Sequence, residues 1–246
     1  MTPANDFTKH GYRDVLSRLL QRGYNCRSYD DVRKDRADLI VRHDIDFSPA
    51  DALPIAAIEQ KLGVFSTYFF LARSPFYSLD DQATRTVFGE LFSLGHDVGL
   101  HFDAARYADD ETVLEQAALD ECELLERYTD RPVRVISFHR PAAELLNRSS
   151  TIAGRLHTYQ PAFFKEIGYC SDSSGRWRHG HPLNHPAVAE GHALQLLTHP
   201  IWWANDDAGN REQALDRLAK QYDPSIRLSI AETVTGYDAQ SGRIVE

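Results

Sequence analysis

The segment Asp38-Leu39-Ile40-Val41-Arg42-His43-Asp44-Ile45-Asp46-Phe47-Ser48-Pro49-Ala50-Asp51 decides how the chain is read. It opens with a short apolar run, DLIV, of the kind that forms a strand buried on both faces. The run ends in a polar cluster, Arg42 to Asp46, and a helix start follows at once. Ser48 can cap that helix, Pro49 suits its first position, and Asp51 lies in the electropositive first turn. Strand, polar end and helix make up the repeating unit of a parallel α/β fold.

Working outward, the same unit recurs. The helix after Ser48 is predicted to stop at Gly63, and Val64 to Leu71 (VFSTYFFL) is the next strand. A second helix runs from about Asp80 to Leu94, with Gly95 as its C-terminal stop. Asp97 to Phe102 (DVGLHF) is a strand. Asp109 to Tyr128 is a long helix carrying Val113, Leu114, Ala117, Ala118, Leu124, Leu125 and Tyr128 on roughly one side. Val133 to Phe138 and Ala193 to Thr198 are further strands, and Asn210 to Tyr222 is the last clear helix. An amphipathic helix around Tyr12, Val15, Leu16, Leu19 and Leu20 precedes the first strand, so residues 1–35 read as an N-terminal helical extension. Residues 149–191, rich in His, Gly and Pro, read as an irregular insertion over the mouth of a barrel. Neither a repeat nor a linker divides the chain, which reads as one domain with its active residues at the carboxyl ends of the strands.

The 246 residues carry a formal net charge of −9, which argues against a nucleic-acid partner, since phosphate binding needs clustered Lys and Arg. Three widely spaced cysteines, Cys26, Cys122 and Cys170, build neither a disulfide framework nor a zinc ribbon and read as reduced thiols. The opening MTPANDFTKH has no apolar stretch of signal-peptide length, and no run approaches the ~20 residues of a membrane span, so a cytoplasmic location is expected.

Four predicted strands end in residues that carry chemistry. Asp44 and Asp46 are two apart, so on a strand their carboxylates face one way, where they repel unless one is protonated or a cation lies between. The other reading is that they cap the next helix or face water. In Gly95-His96-Asp97-Val98-Gly99-Leu100-His101-Phe102-Asp103, His101 and Asp103 share a face at the strand's end. His101 is therefore a candidate metal ligand, whereas His96, at the opposite end, reads as structural. After Ser137-Phe138 come His139, able to bind metal or move a proton, and Arg140, able to hold a carboxylate or a substrate oxygen. After Leu197-Thr198 come His199, suited to a general acid, and the pair Trp202-Trp203, either a sugar-binding wall or core.

Taken in order over residues 38–204, RHDID, GHDVGLHFD, SFHRP and LLTHP resemble the motifs of the polysaccharide-deacetylase superfamily, carbohydrate esterase family four, in its surface-polysaccharide branch. The resemblance implies a distorted, TIM-like (β/α)7 barrel. It also implies hydrolysis of an N- or O-acetyl group from a sugar or polysaccharide precursor, with zinc or a similar divalent ion. By the same resemblance Asp44 is the general base, Asp46 and His101 are metal ligands, Arg140 orients the base and His199 is the general acid. The family's second motif has two histidines four residues apart, and here the second position is Ala105. The third ligand must then be His139 or Asp103, or metal affinity is reduced. The family's Asp-Trp motif has its nearest counterpart in Asp172-Ser173-Ser174-Gly175-Arg176-Trp177. Two other readings stand beside deacetylation: a non-catalytic barrel that binds sugar or a partner protein, and a deformylase or amidase acting on a carrier-linked sugar.

Overall fold

A computed structural model of the chain describes residues 7–141, 143–146, 148–178, 180–204, 211–221 and 226–245. The elements in chain order are helix α1 (Lys9–Gln21), strand β1 (Asn25–Cys26), β2 (Asp38–Ile45), α2 (Ala52–Leu62), β3 (Thr67–Leu71), α3 (Gln82–Ser93), β4 (Asp97–Phe102) and α4 (Glu111–Thr129). Then come β5 (Val135–Phe138), α5 (Ala143–Leu146), β6 (Leu156–His157), α6 (Pro161–Phe164), β7 (Gly168–Ser171), α7 (Pro186–Glu190), β8 (Leu194–Thr198), α8 (Arg211–Gln221), α9 (Ile226–Thr233) and the hairpin β9 (Tyr237–Asp238) and β10 (Arg243–Ile244). Strands β6-β5-β4-β3-β2-β8-β7 lie side by side, all parallel, with β1 added beside β2. The curled sheet ends at β6 and β7, making a distorted (β/α)7 barrel that stays open between them.

Two stretches differ from the sequence reading. Residues 1–35 are more than an extension, because α1 buries Tyr12, Val15, Leu16 and Leu19 and β1 pairs with β2. Residues 149–191 contain β6 and β7, the two end strands of the barrel. They were hard to read because β6 is two residues long and β7 (GYCS) has no apolar run. At Ser48 the side chain makes no capping bond, and a single 3-10 turn, Pro49–Asp51, leads into α2. Gly63 ends α2 in the left-handed conformation (φ 69°), as a C-terminal glycine does.

Strand β2 explains how the barrel positions a site. All eight of its residues are buried, as a strand covered on both faces requires. Leu39, Val41 and Ile45 pack outward against the helices. Ile40, Arg42, Asp44 and Asp46 alternate with them and face inward. The interior is layered along this inward face. At the bottom Ile40, Phe69, Val135, Phe163, Ile167 and Ala193 form an apolar plug. Phe69 is fully buried, worth roughly 1.5–3 kcal/mol for such a side chain. Its ring lies so close over Gly99 that a Cβ there would meet it at 2.5 Å, which is why β4 carries a glycine at this point. Above the plug, Gln195 donates to the carbonyls of Thr158 (3.2 Å) and Phe163 (2.9 Å) and accepts from the Tyr29 hydroxyl (2.8 Å). The carboxylates and imidazoles come last, at the carboxyl ends of the strands, where such barrels place their chemistry.

Candidate active site

Asp46 follows the last residue of β2, His101 is in β4, and His139 directly follows β5. The three converge. His101 Nε2 lies 3.1 Å from both Asp46 Oδ1 and His139 Nδ1, and His139 Nδ1 lies 3.3 Å from Asp46 Oδ1. All three side chains are buried. The other nitrogen of His101, Nδ1, faces the backbone carbonyl of Ser137 at 3.3 Å. That carbonyl calls for a proton on Nδ1, which leaves the Nε2 lone pair pointing at the Asp46 oxygen. With Nδ1 protonated, Nε2 and the Asp46 oxygen can share a cation; with the proton on Nε2 they share a hydrogen bond. The donor set of one carboxylate and two imidazoles suits a divalent transition metal such as zinc. Burial alone would raise the Asp46 carboxyl, but the neighbouring imidazoles of His139, His101 and His199 outweigh it and hold the group well below the usual carboxylate range.

Asp44 sits one layer deeper on the same face of β2. Its Oδ2 accepts from the Ser137 hydroxyl (3.1 Å), and its Oδ1 has no hydrogen-bond partner. His199 follows β8 and directs Nε2 toward Asp46 Oδ2, 3.8 Å away. Its Nδ1 lies 2.6 Å from Oδ1 of Asp172, which follows β7. Oδ2 of Asp172 accepts from the His199 backbone N–H (3.0 Å) and from the Trp203 indole (2.6 Å). Burial works against a charged His199, yet the Asp172 carboxylate and its hydrogen bond, with Asp46 and Asp44 behind them, raise it to about 9. The imidazole is therefore a proton carrier at neutral pH. The sequence pointed to the segment beginning at Asp172 but gave the residue no task. A carboxylate directly after a strand was its only local signal.

Three residues singled out from the sequence have other surroundings. Arg140 turns away from Asp44: the backbone there is left-handed (φ 48°), and the guanidinium pairs with Asp103 (2.6 Å) and Glu232 (3.4 Å). That pairing also takes Asp103 out of the ligand cluster. Trp203 is fully buried among Phe7, Tyr12 and Trp177, so it is core and not a sugar wall. Trp202 does line the cavity. This cavity, of about 190 Å³, is floored by Asp44, Asp46, His101, His139 and His199 and walled on one side by Thr233, Val234 and Thr235, at the end of α9. All three cysteines are free, and no helix among the described residues is long and apolar enough to cross a membrane.

No family model matches the chain, and no curated protein does. Among solved structures it is similar to a family 4 carbohydrate esterase from Bacillus anthracis, with a TM-score of 0.47 and 16% identity over 84% of this chain and 86% of that one. It is also similar to the deacetylase PplD of Streptococcus pyogenes in complex with acetate (TM-score 0.44, 12% identity, 77% of this chain and 80% of that one). A CE4 family pseudoenzyme from Bacillus anthracis is a third (TM-score 0.41, 13% identity, 77% of this chain), and the match spans 62% of that protein's length. Two of the three bear the name of the carbohydrate esterase family that the sequence motifs resemble, and the third is a deacetylase. At these identities no residue's role carries across, and the case for chemistry rests on the side chains themselves.

Proposed function

We propose that the chain is a divalent-metal-dependent hydrolase, with zinc as the ion, that removes an acetyl or other acyl group from a sugar or polysaccharide precursor in surface-polysaccharide biosynthesis. One observation carries the reading. Asp46, His101 and His139 bring three ligand atoms to one point, with a carboxylate, Asp44, and a carboxylate-backed imidazole, His199, beside it. Asp46, His101 and His139 would hold the ion, which would supply a water of lowered pKa and polarise the acyl carbonyl. Asp44, one oxygen of which has no protein partner, takes the proton of the attacking water. His199 gives a proton to the departing sugar nitrogen or oxygen, while Asp172 holds its Nδ1–H and fixes which nitrogen faces the site. The products are a carboxylic acid and the freed amine or hydroxyl. Trp202 offers an aromatic wall to the sugar.

In this reading His139 serves as the third ligand in place of the histidine that the Ala105 position lacks, so that lack does not by itself favour a non-catalytic barrel. The test is acetate release from a panel of N- and O-acetylated sugars by zinc-loaded wild type and by Asp46→Ala, with zinc content measured on both. Release by wild type and neither zinc nor release in the variant is expected. Equal release by the two proteins overturns the reading, as does a wild type that holds no zinc and cleaves nothing.

A further inference from the structure

Arg42 lies in the middle layer of the barrel with no exposed surface at all. Such burial is costly for a guanidinium, which keeps its charge, unless a counter-ion and a full set of acceptors surround it. Its surroundings supply the counter-ion and acceptors for both Nη atoms and leave Nε without a partner. Nη1 donates to the hydroxyls of Ser137 (3.1 Å) and Thr158, and Nη2 to the hydroxyl of Tyr159 (3.1 Å), whose ring also lies 4.9 Å from Cζ. The carboxylate beside it is Asp44, with Oδ2 3.8 Å from Nη2. Arg42 and Asp44 are two apart on one strand and so share a face. Ser137 closes the triangle by accepting from Arg42 and donating to that same Oδ2 of Asp44. Oδ2 is therefore held from below, and Oδ1 is left without a partner. Of the two arginines that line the cavity, Arg140 and Arg178, the one whose segment the motifs pointed to, Arg140, is committed to Asp103 and Glu232.

We infer that Arg42, acting through Ser137, is the residue pair that positions Asp44, holding Oδ2 so that Oδ1 is the atom presented for proton transfer. The inference rests on the hydrolase reading above. It departs from what the motifs suggested, since the cation that serves the base comes from two positions earlier on the same strand and not from the SFHRP segment. Neither Arg42 nor Ser137 touches substrate, and both act only through the orientation of Asp44. The layering gives a reason for the arrangement. A cation beneath the acid cluster offsets the crowding of Asp44, Asp46 and Asp172 in a buried site and leaves the cavity side clear for the ligands.

The test uses the zinc-loaded protein and reads kcat and KM separately on an acetylated sugar that wild type cleaves, with zinc affinity measured in parallel. Ser137→Ala deletes one hydroxyl from a buried position and is expected to lower kcat about tenfold, one hydrogen bond to a charged group, with KM and zinc affinity within about twofold of wild type. Arg42→Lys keeps the charge but loses the planar fork, and its kcat falls further. In Arg140→Lys, whose side chain holds the cavity wall at Glu232, the change falls on KM. A Ser137→Ala protein with wild-type kcat, or an Arg140→Lys protein that loses kcat while Ser137→Ala keeps it, overturns the inference and leaves the hydrolase reading standing. A wild type inactive on every acetylated sugar overturns the hydrolase reading, and this inference falls with it.

Discussion

Strand β2 sends neighbouring side chains into two polar clusters that could hardly differ more. On its outer face His43 enters a buried network centred on Glu59, which accepts from the hydroxyls of Tyr12 (2.5 Å) and Tyr68 (2.6 Å) and lies 2.8 Å from His43 Nε2. His96 stands 3.7 Å off, with its other nitrogen 3.1 Å from the carbonyl of Ala56. On the inner face Asp44 and Asp46 enter the cavity cluster with His101, His139 and His199. The residue types are the same, histidine and carboxylate, and both sets are buried. The difference lies in access. Glu59 has a donor for each oxygen, with His96 Nδ1 beside it lacking a hydrogen bond, whereas the inner cluster brings imidazole nitrogens and carboxylate oxygens together on the floor of about 190 Å³ of open space. A histidine–carboxylate cluster becomes a site when its ligand atoms converge on open space.

Asp46→Ala should expose the contrast most strongly. It removes the charge that holds the three-ligand group together, and zinc uptake by calorimetry and acyl-sugar turnover should both vanish while the fold, by circular dichroism, is kept. Retained zinc affinity would show that the inner cluster is as self-sufficient as the outer one. The mirror experiment is Glu59→Ala, which leaves His43 and two tyrosine hydroxyls facing an empty place. A loss of about 3–5 kcal/mol in denaturant stability is expected, with zinc affinity per folded molecule unchanged. A pH signature accompanies it. Burial would raise Glu59, but His43 above all, with His96 and Tyr12, lowers it from 4.5 to about 2. Its folded-state value is depressed, so its stabilisation is complete above 4.5 and drains away as the pH falls toward about 2. Glu59→Gln should flatten the stability curve in that window.

The next effect is catalytic. Asp172→Asn keeps a hydrogen-bonding shape beside His199 but removes the charge that favours imidazolium, and kcat should fall about a hundredfold. His199 has to carry its proton to act, so activity is lost as pH rises through its value of about 9. In the variant the basic limb of the pH–rate profile should move to lower pH. An unmoved limb would mean that another group supplies the proton.

Much of this contrast can be traced to features the sequence displays, and some cannot. Strands β2, β4, β5 and β8 are legible because each is an apolar run ending in polar residues, and Asp97–Phe102 has the bounds the sequence suggested. The periodicity of two on β2 by itself separates His43 from Asp44 and Asp46. His96 reads as structural from its place at the start of β4, and it stands beside Glu59. What pairing decides is not legible. β6 and β7 exist as strands through their ladders with β5 and β8 and not through any pattern of their own. Asp172 meets His199 across 27 residues, a contact with no local trace. Arg140 follows a strand end just as His139 does, but one left-handed residue aims it at Asp103. Arg42 reads only as part of the polar end of β2, because its counter-ion and hydroxyl partners come from three different strand regions.

The two clusters touch through Thr198 and, by ring packing, where Tyr12 meets Trp203, and the smallest predicted effect lies at the first of these. Thr198 Oγ1 is 2.8 Å from His43 Nδ1, and the next residue is His199. The pair sits in register across β2 and β8, so a perturbation of the outer network has its shortest route to the proton donor through this hydrogen bond. Thr198→Val keeps the shape and β-branching of the side chain and deletes only the hydroxyl. If the outer network is purely structural, the cost is one neutral hydrogen bond, about 0.5–1.5 kcal/mol of stability, and kcat and its basic limb stay where they are. The backbone of His199 is held independently, by its own N–H to Asp172 Oδ2, and that bond survives the substitution. A drop in kcat larger than the stability loss accounts for would mean that Glu59 and His43 tune His199 through Thr198. The division of β2 into a scaffold face and a reactive face would then be wrong where β2 and β8 join them.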